Sequence, residues 1–225
     1  MKPAAFVEAL TAIHLDDVFN PYSDRCILHD RADAPQRRRA NLLAVVEAAS
    51  KDGIDSVWIA RDLGYRGGRR TGLPLTDEIH LQTFSEIYGG LALSRATKGP
   101  PVAERTAAII WKVLTQINKP VFLWNIFPLH PFEPGDPLSN RCHTRAEREV
   151  FRDLLFTLLE MLRPKTVIAI GRDAHQSLLE LDIDCSAVRH PSYGGQSEFI
   201  HGMNELYHLP RQPQQLPLIR SLSVK

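Results

Sequence analysis

Four short apolar segments, separated by stretches with helical periodicity, constrain the fold of this chain more than any other feature. They lie at residues 54–60 (IDSVWIA), 121–126 (VFLWNI) and 166–170 (TVIAI), with a shorter one near Ser186–Val188. Strands that are apolar on both faces are typical of parallel sheets that helices cover on both sides. The sequence therefore predicts an α/β fold, a three-layer α/β/α sandwich around a mainly parallel four-stranded sheet.

Helices are predicted between these strands, from apolar periodicity and end signals. Thr144 and Glu147 form a capping-box pattern that opens one of them. The proline-rich stretch 127–143 is expected to be irregular, and the stretch 77–98 fits a helix or a loop. We expect one domain, residues 1–225, whose residues 210–225 form a loose tail. The predicted helices cover residues 3–14, 34–50, 102–117, 144–162 and 172–181.

Composition and charge narrow the functional classes. The chain has 225 residues, 44% of them hydrophobic and 24% charged, which is enough for one sizeable core. Its formal net charge is +1, so bulk charge does not indicate a nucleic-acid binder. Arginines cluster locally, however, at Arg37–Arg39 and between Arg61 and Arg70. Clusters of this kind usually lie on a solvated surface. We expect the protein to be a monomer.

The three cysteines argue against a metal centre. Cys26, Cys142 and Cys185 are widely spaced and include no Cys-x-x-Cys pair, so a zinc site or a four-thiolate cluster is not expected. We expect no cofactor and no metal. The odd cysteine count favours a reducing, cytoplasmic compartment. The amino-terminal stretch does not match a signal peptide, and no apolar run is long enough to cross a bilayer.

The loops that follow the strands carry the candidate catalytic and binding residues. In parallel sheets ligands bind beyond the carboxyl ends of the strands. Three loops leave those ends, at residues 61–76, 127–143 and 189–195. We therefore expect their polar residues to converge on one edge of the sheet.

The first loop offers a carboxylate one residue past a strand. Asp62 could orient and polarise a water molecule as a general base does, or it could be a cap or an ion-pair partner of neighbouring arginines. Gly64 allows close approach of a ligand to the backbone, and Arg66, Arg69 and Arg70 are candidates for phosphate contacts. The loop is neither a phosphate-binding Walker loop nor a dinucleotide fingerprint.

The second and third loops add an amide and an imidazole. Asn125 offers a donor and an acceptor together, so it can read the edge of a base or hold a neighbouring loop. Trp124 is expected in the core, and Phe127 in the core or against a ligand. His190 sits on a turn that Pro191 stiffens. A water-positioning carboxylate, a base-reading amide and an imidazole that stabilises a departing anion are the roles that cleavage of a C–N glycosidic bond requires.

The sequence resembles the uracil-DNA glycosylase superfamily from roughly residue 57 to residue 193. The segments that carry the resemblance are WIARDLGYRGGRRTGLP (58–74), VFLWNIFPLHP (121–131), IAIGRDAHQSLL (168–179) and RHPS (189–192). It implies a DNA glycosylase that flips its target base and leaves an abasic site. It also implies catalytic roles for Asp62 and His190, and a base pocket formed by Asn125, Gly64, Tyr65, Leu75 and Phe127. Some members hold an iron–sulfur cluster, which three scattered cysteines do not fit.

Departures from the family pattern concern the base. Where family branches have Gly-Gln-Asp-Pro-Tyr or Gly-Glu-Ala-Pro-Gly, this chain has Ala60-Arg-Asp-Leu-Gly64, and Leu75 stands near the position of an aromatic platform. A wider pocket follows, so we hypothesise a bulkier or modified pyrimidine, such as those of some bacteriophage DNA, rather than plain uracil. The role would be base-excision repair or defence against phage.

Contacts to DNA are assigned to two loops, and rival functions stay open. The expected DNA-binding residues are Arg66, Arg69, Arg70, Ser192, Tyr193 and Gly194. Tyr193 is either a wedge that fills the gap in the duplex or a surface aromatic. The alternatives are a non-catalytic member that binds DNA or a base, and a hydrolase of small nucleosides. A generic α/β-hydrolase is disfavoured because the chain has no Gly-x-Ser-x-Gly elbow.

Overall fold

A computed structural model describes residues 1–210, so the predicted tail at 210–225 lies almost wholly outside the described residues. Helices and strands alternate along the chain, as the apolar pattern predicts. The strands are β1 (Val18–Phe19), β2 (Ser56–Asp62), β3 (Val121–Phe127), β4 (His130–Pro131), β5 (Thr166–Ile170) and β6 (Ser186–Val188). The helices are α1 (Pro3–Thr11), α2 (Ala34–Asp52), α3 (Gly68–Thr71), α4 (Leu81–Ile87), α5 (Arg105–Leu114), α6 (Arg145–Glu149), α7 (Arg152–Leu162), α8 (Arg172–Glu180) and α9 (Gln196–Tyr207).

The main sheet has four strands in the order β3-β2-β5-β6, and every neighbouring pair is parallel. This confirms the predicted parallel four-stranded sheet. Chain order reverses around β2, which has the later strands β3 and β5 on its two sides. In sheets of this kind such a reversal opens a crevice at the carboxyl ends of the strands.

Helices cover both faces of the sheet, as the fully apolar strands require. Trp58 and Trp124 are both buried, and they face opposite sides because Trp58 pairs in register with Leu123, not with Trp124. Phe6 of α1 packs on Trp124 at 5.6 Å between ring centroids. Phe199 of α9 packs on Trp58 at 6.4 Å, and Tyr207 lies beside it at 5.9 Å. The result is the predicted three-layer arrangement.

The strands differ from the sequence prediction at both ends of β2 and within the stretch 127–143. β2 begins at Ser56 rather than at residue 54 and runs on to Asp62, which pairs in register with Phe127. Asp62 is therefore the last residue of a strand, not a residue beyond it. The stretch 127–143 is not wholly irregular, because His130–Pro131 pairs with Val18–Phe19 in a small antiparallel sheet. Proline at the end of so short a strand disrupts no internal ladder.

Two helices also differ from the prediction. The capping box at Thr144 is confirmed, because its side chain accepts from the Glu147 N–H and the Glu147 side chain accepts in return. The single helix predicted over 144–162 is divided into α6 and α7 around Phe151, which leaves helical geometry and is buried against Phe127 at 4.9 Å between centroids. Helix α9 was not predicted. Its Tyr207 hydroxyl accepts from the Trp58 indole at 2.7 Å, which fixes the helix to the sheet.

Two searches of the described residues concern membranes and metals. Within residues 1–210 none of the helices has both the length and the apolar character needed to cross a membrane. All three cysteines are unpaired, and the described part of the chain contains no group of three or more His, Cys, Asp or Glu side chains arranged to hold a metal ion.

Candidate active site

Three polar side chains stand at the carboxyl edge of the sheet. Asp62 ends β2, Asn125 lies two residues before the end of β3, and His190 comes two residues after β6. Arg61 links the first loop to the start of α8, because it donates to Asp62 and to Asp173, both at 2.9 Å. The parallel order of the strands, rather than any local motif, brings these residues to one edge.

Asp62 is held by one of its two carboxylate oxygens. Its Oδ2 accepts from Arg61 Nε at 2.9 Å and lies 3.4 Å from His143 Nδ1. The side chain is 12% exposed. Among the described residues nothing donates to Oδ1. The carboxylate is thus fixed in orientation while one oxygen can accept a hydrogen bond from water or substrate, as a water-positioning base requires.

Asn125 is a buried amide without partners. The residue is 1% exposed, and within residues 1–210 neither its Oδ1 nor its Nδ2 forms a hydrogen bond. Leaving a buried polar group unpaired costs about 1–3 kcal/mol, and the large majority of buried side-chain polar groups in proteins are paired. Its register partner across the sheet is Ala60, a small side chain. The amide is therefore available to a ligand that offers a complementary donor and acceptor.

His190 is held as a neutral imidazole with a defined tautomer. The backbone N–H of Ser192 donates to its Nδ1 at 3.2 Å, and the Ser192 hydroxyl lies 2.7 Å from the same atom. Because Nδ1 accepts, the proton resides on Nε2, which becomes a donor. Burial, reinforced by the positive charge of Arg61, lowers the pKa of His190 to about 4. Gly171 leaves room for the ring, since a Cβ there would lie 3.0 Å from His190 Cβ.

His143 belongs to this edge and was missed in the sequence. Its ring stacks on Phe127 at 5.1 Å between centroids, and its buried Nδ1 faces Asp62 without a hydrogen bond. Phe127 itself is fully buried. A histidine at the end of a proline-rich loop gave no local signal, because its position depends on how that loop folds back onto the sheet.

The first loop is supported from outside by a carboxyl group that the sequence analysis also missed. Gly64 and Gly67 both lie against Glu104: a Cβ on either would come within 2.5 Å of a carboxyl oxygen. Burial and the nearby Asp77 raise the pKa of Glu104 to about 7. Tyr65 is half-buried, and its backbone N–H donates to Asn140 at 2.9 Å.

Leu75, predicted to border the base, is 9% exposed and has a positive φ of 55°. That backbone conformation is unusual for a leucine. The first loop therefore turns sharply at Leu75 and buries its side chain.

Arg69 and Arg70 are not placed as predicted. Both are buried, at 4% and 7% exposed. The Arg69 guanidinium lies over the Phe19 ring at 4.0 Å from the centroid and donates to the Pro137 carbonyl. Arg70 pairs with buried Glu78 at 3.0 Å. A buried, paired guanidinium cannot reach a phosphate, so these two arginines are structural. Arg66, by contrast, is exposed and donates to the Tyr65 hydroxyl at 3.1 Å.

The third loop presents its remaining residues to solvent. Tyr193 is 98% exposed, and its φ is 50°, in the left-handed region. Gly194 is exposed with a φ of 81°. Gly195 is buried under the turn, where a Cβ would lie 2.2 Å from the His190 carbonyl oxygen. The turn therefore holds a large aromatic ring out from the surface beside His190.

Comparisons with known proteins agree with this architecture. The family model of the uracil DNA glycosylase superfamily matches residues 66–207. Among solved structures, wild-type SMUG2 of Pedobacter heparinus superposes with a TM-score of 0.63 over 92% of this chain and 96% of its own, at 11% sequence identity. No curated protein sequence matches. Since the family model covers more than half of the chain, the protein belongs to the uracil DNA glycosylase superfamily.

Proposed function

We propose that this protein is a DNA glycosylase that draws a pyrimidine out of the base stack and hydrolyses its N-glycosidic bond, leaving an abasic site. The observation that carries the proposal is the Asn125 amide, which is buried at the carboxyl edge of the sheet and has no hydrogen-bond partner among residues 1–210. A flipped base would supply the missing donor and acceptor through its pairing edge. Family membership favours the same chemistry.

The reaction divides among three side chains. Water adds to C1′ of the sugar and the C1′–N1 bond breaks, its electron pair leaving with the base. The Nε2–H of His190 donates to the O2 atom on which negative charge grows, and Asn125 holds the opposite edge. Asp62 orients the water, accepts its proton and offsets the positive charge on the sugar. Donors aimed at developing charge stabilise the transition state more than the ground state.

The first loop favours a substituted pyrimidine as the substrate. Leu75 stands near the position where an aromatic platform is expected. An aliphatic side chain there leaves more room for a base than an aromatic ring does. We therefore propose a modified or bulkier pyrimidine, with a role in repair or in defence against phage DNA.

DNA would be held by the exposed parts of two loops. Arg66 is free to reach a phosphate, and the Ser192 hydroxyl can turn from His190 towards one. Tyr193 has the exposure and position of a wedge that fills the space left by the flipped nucleotide.

Oligonucleotides that differ in one pyrimidine test the proposal. The protein is incubated with strands carrying uracil, mispaired thymine, 5-hydroxymethyl pyrimidines or glucosylated cytosine, and alkali converts abasic sites into breaks. Asp62→Asn, Asn125→Ala and His190→Ala should each reduce cleavage at least about 100-fold, since removing one such group typically costs 10²–10³ in rate. Full activity in His190→Ala would contradict the mechanism.

Matched variants control for folding. Asp52→Asn, Asn118→Ala and His201→Ala change the same residue types at exposed positions away from this edge, and they should cleave like wild type. Preference for uracil over every modified pyrimidine would overturn the proposed substrate but not the activity.

One observation favours a second candidate, a member that binds DNA without cutting it. Asp62 shares its Oδ2 between Arg61 and His143, an arrangement in which the carboxylate could be purely structural. Such a protein would bind the modified strand tightly yet produce no breaks over many hours. A hydrolase of small nucleosides would instead release free base from nucleosides and show no affinity for DNA.

A further inference from the structure

A tight turn before α2 exposes two adjacent aliphatic side chains. Ile27 is 81% exposed and Leu28 is 72% exposed. The turn is ordered, because the Asp30 N–H donates to the Cys26 carbonyl at 2.9 Å and the Asp30 carboxylate accepts from the Cys26 N–H at 2.8 Å. Asp30 is itself buried and paired with buried Arg38. A fold that anchors a turn this firmly while exposing both apolar side chains indicates a contact with something else. We call Ile27 and Leu28 the 27–28 tip.

Positive charge surrounds the 27–28 tip. Arg25 and Arg31 flank it in sequence, and Lys98 adjoins it because its N–H donates to the His29 carbonyl at 2.7 Å. All three basic residues are exposed. Of the acidic side chains nearby, Asp33 pairs with Arg37 and Asp30 pairs with Arg38, which leaves the single carboxylate of Asp24 against three cations. The net charge presented around the tip is therefore positive, although the whole chain is close to neutral.

The 27–28 tip lies at the same end of the molecule as the proposed active site. Helix α2 leads into the amino end of β2, so the start of α2 and the turn before it lie level with the carboxyl end of that strand. Arg38 confirms this placement by contact, since its guanidinium donates to the Asp24 carbonyl at 3.4 Å and to the Arg70 carbonyl at 3.1 Å. Arg70 belongs to α3, which closes the first loop.

The tip and Tyr193 stand at opposite sides of this end. On one side, Asp30 of this turn pairs with Arg38, whose guanidinium lies over Phe19, and Phe19 pairs with β4, the short strand that follows β3. On the other side, Tyr193 follows β6. The two edge strands of the main sheet are β3 and β6. Three strand spacings of about 4.8 Å place these edge strands about 14 Å apart, a length of about four base steps of DNA.

We propose that the 27–28 tip is a second DNA-binding element, which engages the duplex about four or more base pairs to one side of the flipped nucleotide. Ile27 and Leu28 would pack into the minor groove as an apolar wedge, and Arg25, Arg31 and Lys98 would contact the adjacent phosphates. Because three cations surround the tip, a polyanion such as DNA fits it better than a protein that offers only an apolar groove. The inference rests on the proposed function, since it places the tip relative to the target base.

Fluorescence anisotropy with labelled duplexes tests this inference. The probe is a duplex carrying a tetrahydrofuran abasic analogue, extended on one side of the analogue by two or by eight base pairs. The double variant Ile27→Ser/Leu28→Ser should bind the long duplex about tenfold more weakly than wild type, and both proteins should bind the short one alike. Arg25→Ala/Lys98→Ala should lower the salt slope of log K by about 2.

Leu179→Ser provides the matched control, because Leu179 is an aliphatic residue of α8 that is 49% exposed. It should change affinity less than about twofold. Equal binding of the long duplex by wild type and the Ile27→Ser/Leu28→Ser variant, with unchanged thermal unfolding, would overturn the inference. A variant that alters self-association in sedimentation, and not DNA binding, would show that the tip contacts a second copy of the chain and would overturn it equally.

The outcomes separate this inference from the proposed function. If wild type cuts modified strands but tip variants bind normally, the glycosylase proposal stands and the tip proposal falls. If no base is excised while binding depends on the tip, the reverse holds. Absence of any DNA affinity would overturn both.

Discussion

His190 is kept uncharged by burial and by Arg61, and its hydrogen bonds from Ser192 leave Nε2–H as its donor. A neutral imidazole can stabilise an anion by donating a hydrogen bond without losing a proton to it. The Ser192 backbone performs this orientation from only two residues away. The His-Pro-Ser turn thus orients the Nε2–H of His190 through hydrogen bonds within the turn itself.

The depressed pKa of His190 predicts a loss of stability in mild acid. Its folded pKa of about 4 lies below the value near 6.5 of an unfolded chain. Between these pH values the unfolded chain binds more protons, so the free energy of unfolding falls as pH decreases. At pH 5 this single group should cost about 2 kcal/mol relative to pH 8. Urea unfolding at pH 8 and pH 5 should show that His190→Gln loses correspondingly less than wild type.

His201→Gln supplies the comparison, because His201 is an exposed residue of α9 that pairs with Glu205 on the same helix. Its response to pH should match that of wild type. If His190→Gln loses as much stability between pH 8 and pH 5 as wild type does, the histidine is not held neutral by the fold.

Single residues were predictable where strand position determines them. Asp62 ends an apolar strand, Asn125 lies two residues before the end of another, and His190 follows a third. Parallel strands bring their carboxyl ends together whatever the intervening loops do. Arg69 and Arg70 were misjudged because an arginine-rich loop looks the same in sequence whether it is solvated or folded inward. What turned Arg70 inward was Glu78, eight residues away and buried.

At the scale of elements, α3 shows how tightly the first loop is built. This single helical turn ends at Gly72, whose φ is 74° and whose carbonyl accepts from the buried Tyr22 hydroxyl at 3.0 Å. A Cβ there would lie 2.6 Å from Arg38 Cβ and 3.0 Å from its carbonyl oxygen. Two separate demands, a left-handed backbone and a close approach to α2, therefore meet at one glycine.

Gly72→Ala is expected to destabilise the protein by about 3 kcal/mol, the sum of a left-handed alanine and a collision with the backbone of α2. Gly89→Ala separates these causes, because Gly89 has a similar φ of 80° with no other atom within 4 Å of the added carbon. It should cost only about 1–2 kcal/mol. Thermal and urea unfolding measure both variants, and equal losses would show that the contact with Arg38 adds nothing.

Elements were predicted best where apolar periodicity is strong and worst where tertiary contacts decide. The four main strands and the capping box follow from local sequence. Helix α9 did not, since its buried face is reduced to a few residues such as Phe199 and Met203 among polar neighbours. The pairing of β1 with β4 joins segments more than a hundred residues apart, and no local pattern announces it.

For the molecule as a whole, positive and negative charges nearly cancel. A net charge of +1 means that any affinity for DNA must come from a few exposed cations at one end. Burial removes Arg69 and Arg70 from that group, whereas Arg66 and the three cations around the 27–28 tip remain exposed. Binding should therefore depend on salt with a shallow slope.

Substitutions of Arg66 and Arg70 test whether exposed and buried arginines affect DNA binding and stability differently. Arg66→Ala should reduce the salt slope of log K by about 0.9 without changing the unfolding temperature. Arg70→Ala should destabilise the fold by about 3 kcal/mol, because it removes the 3.0 Å partner of the buried Glu78 carboxylate. Anisotropy titrations between 50 and about 200 mM salt, together with calorimetry, measure the two effects. A folding defect in Arg66→Ala would reverse the assignment.

The unpartnered Asn125 amide has a consequence for the timing of selection. A nucleotide whose pairing edge does not match leaves this amide without a hydrogen bond, or places two donors against each other. The flipped state of such a nucleotide is therefore not stabilised. The nucleotide returns to the stack before the slower bond cleavage can occur. Discrimination would then act through how long each base remains, with ordinary DNA sampled often and released quickly, and only a matching base held long enough to be cut.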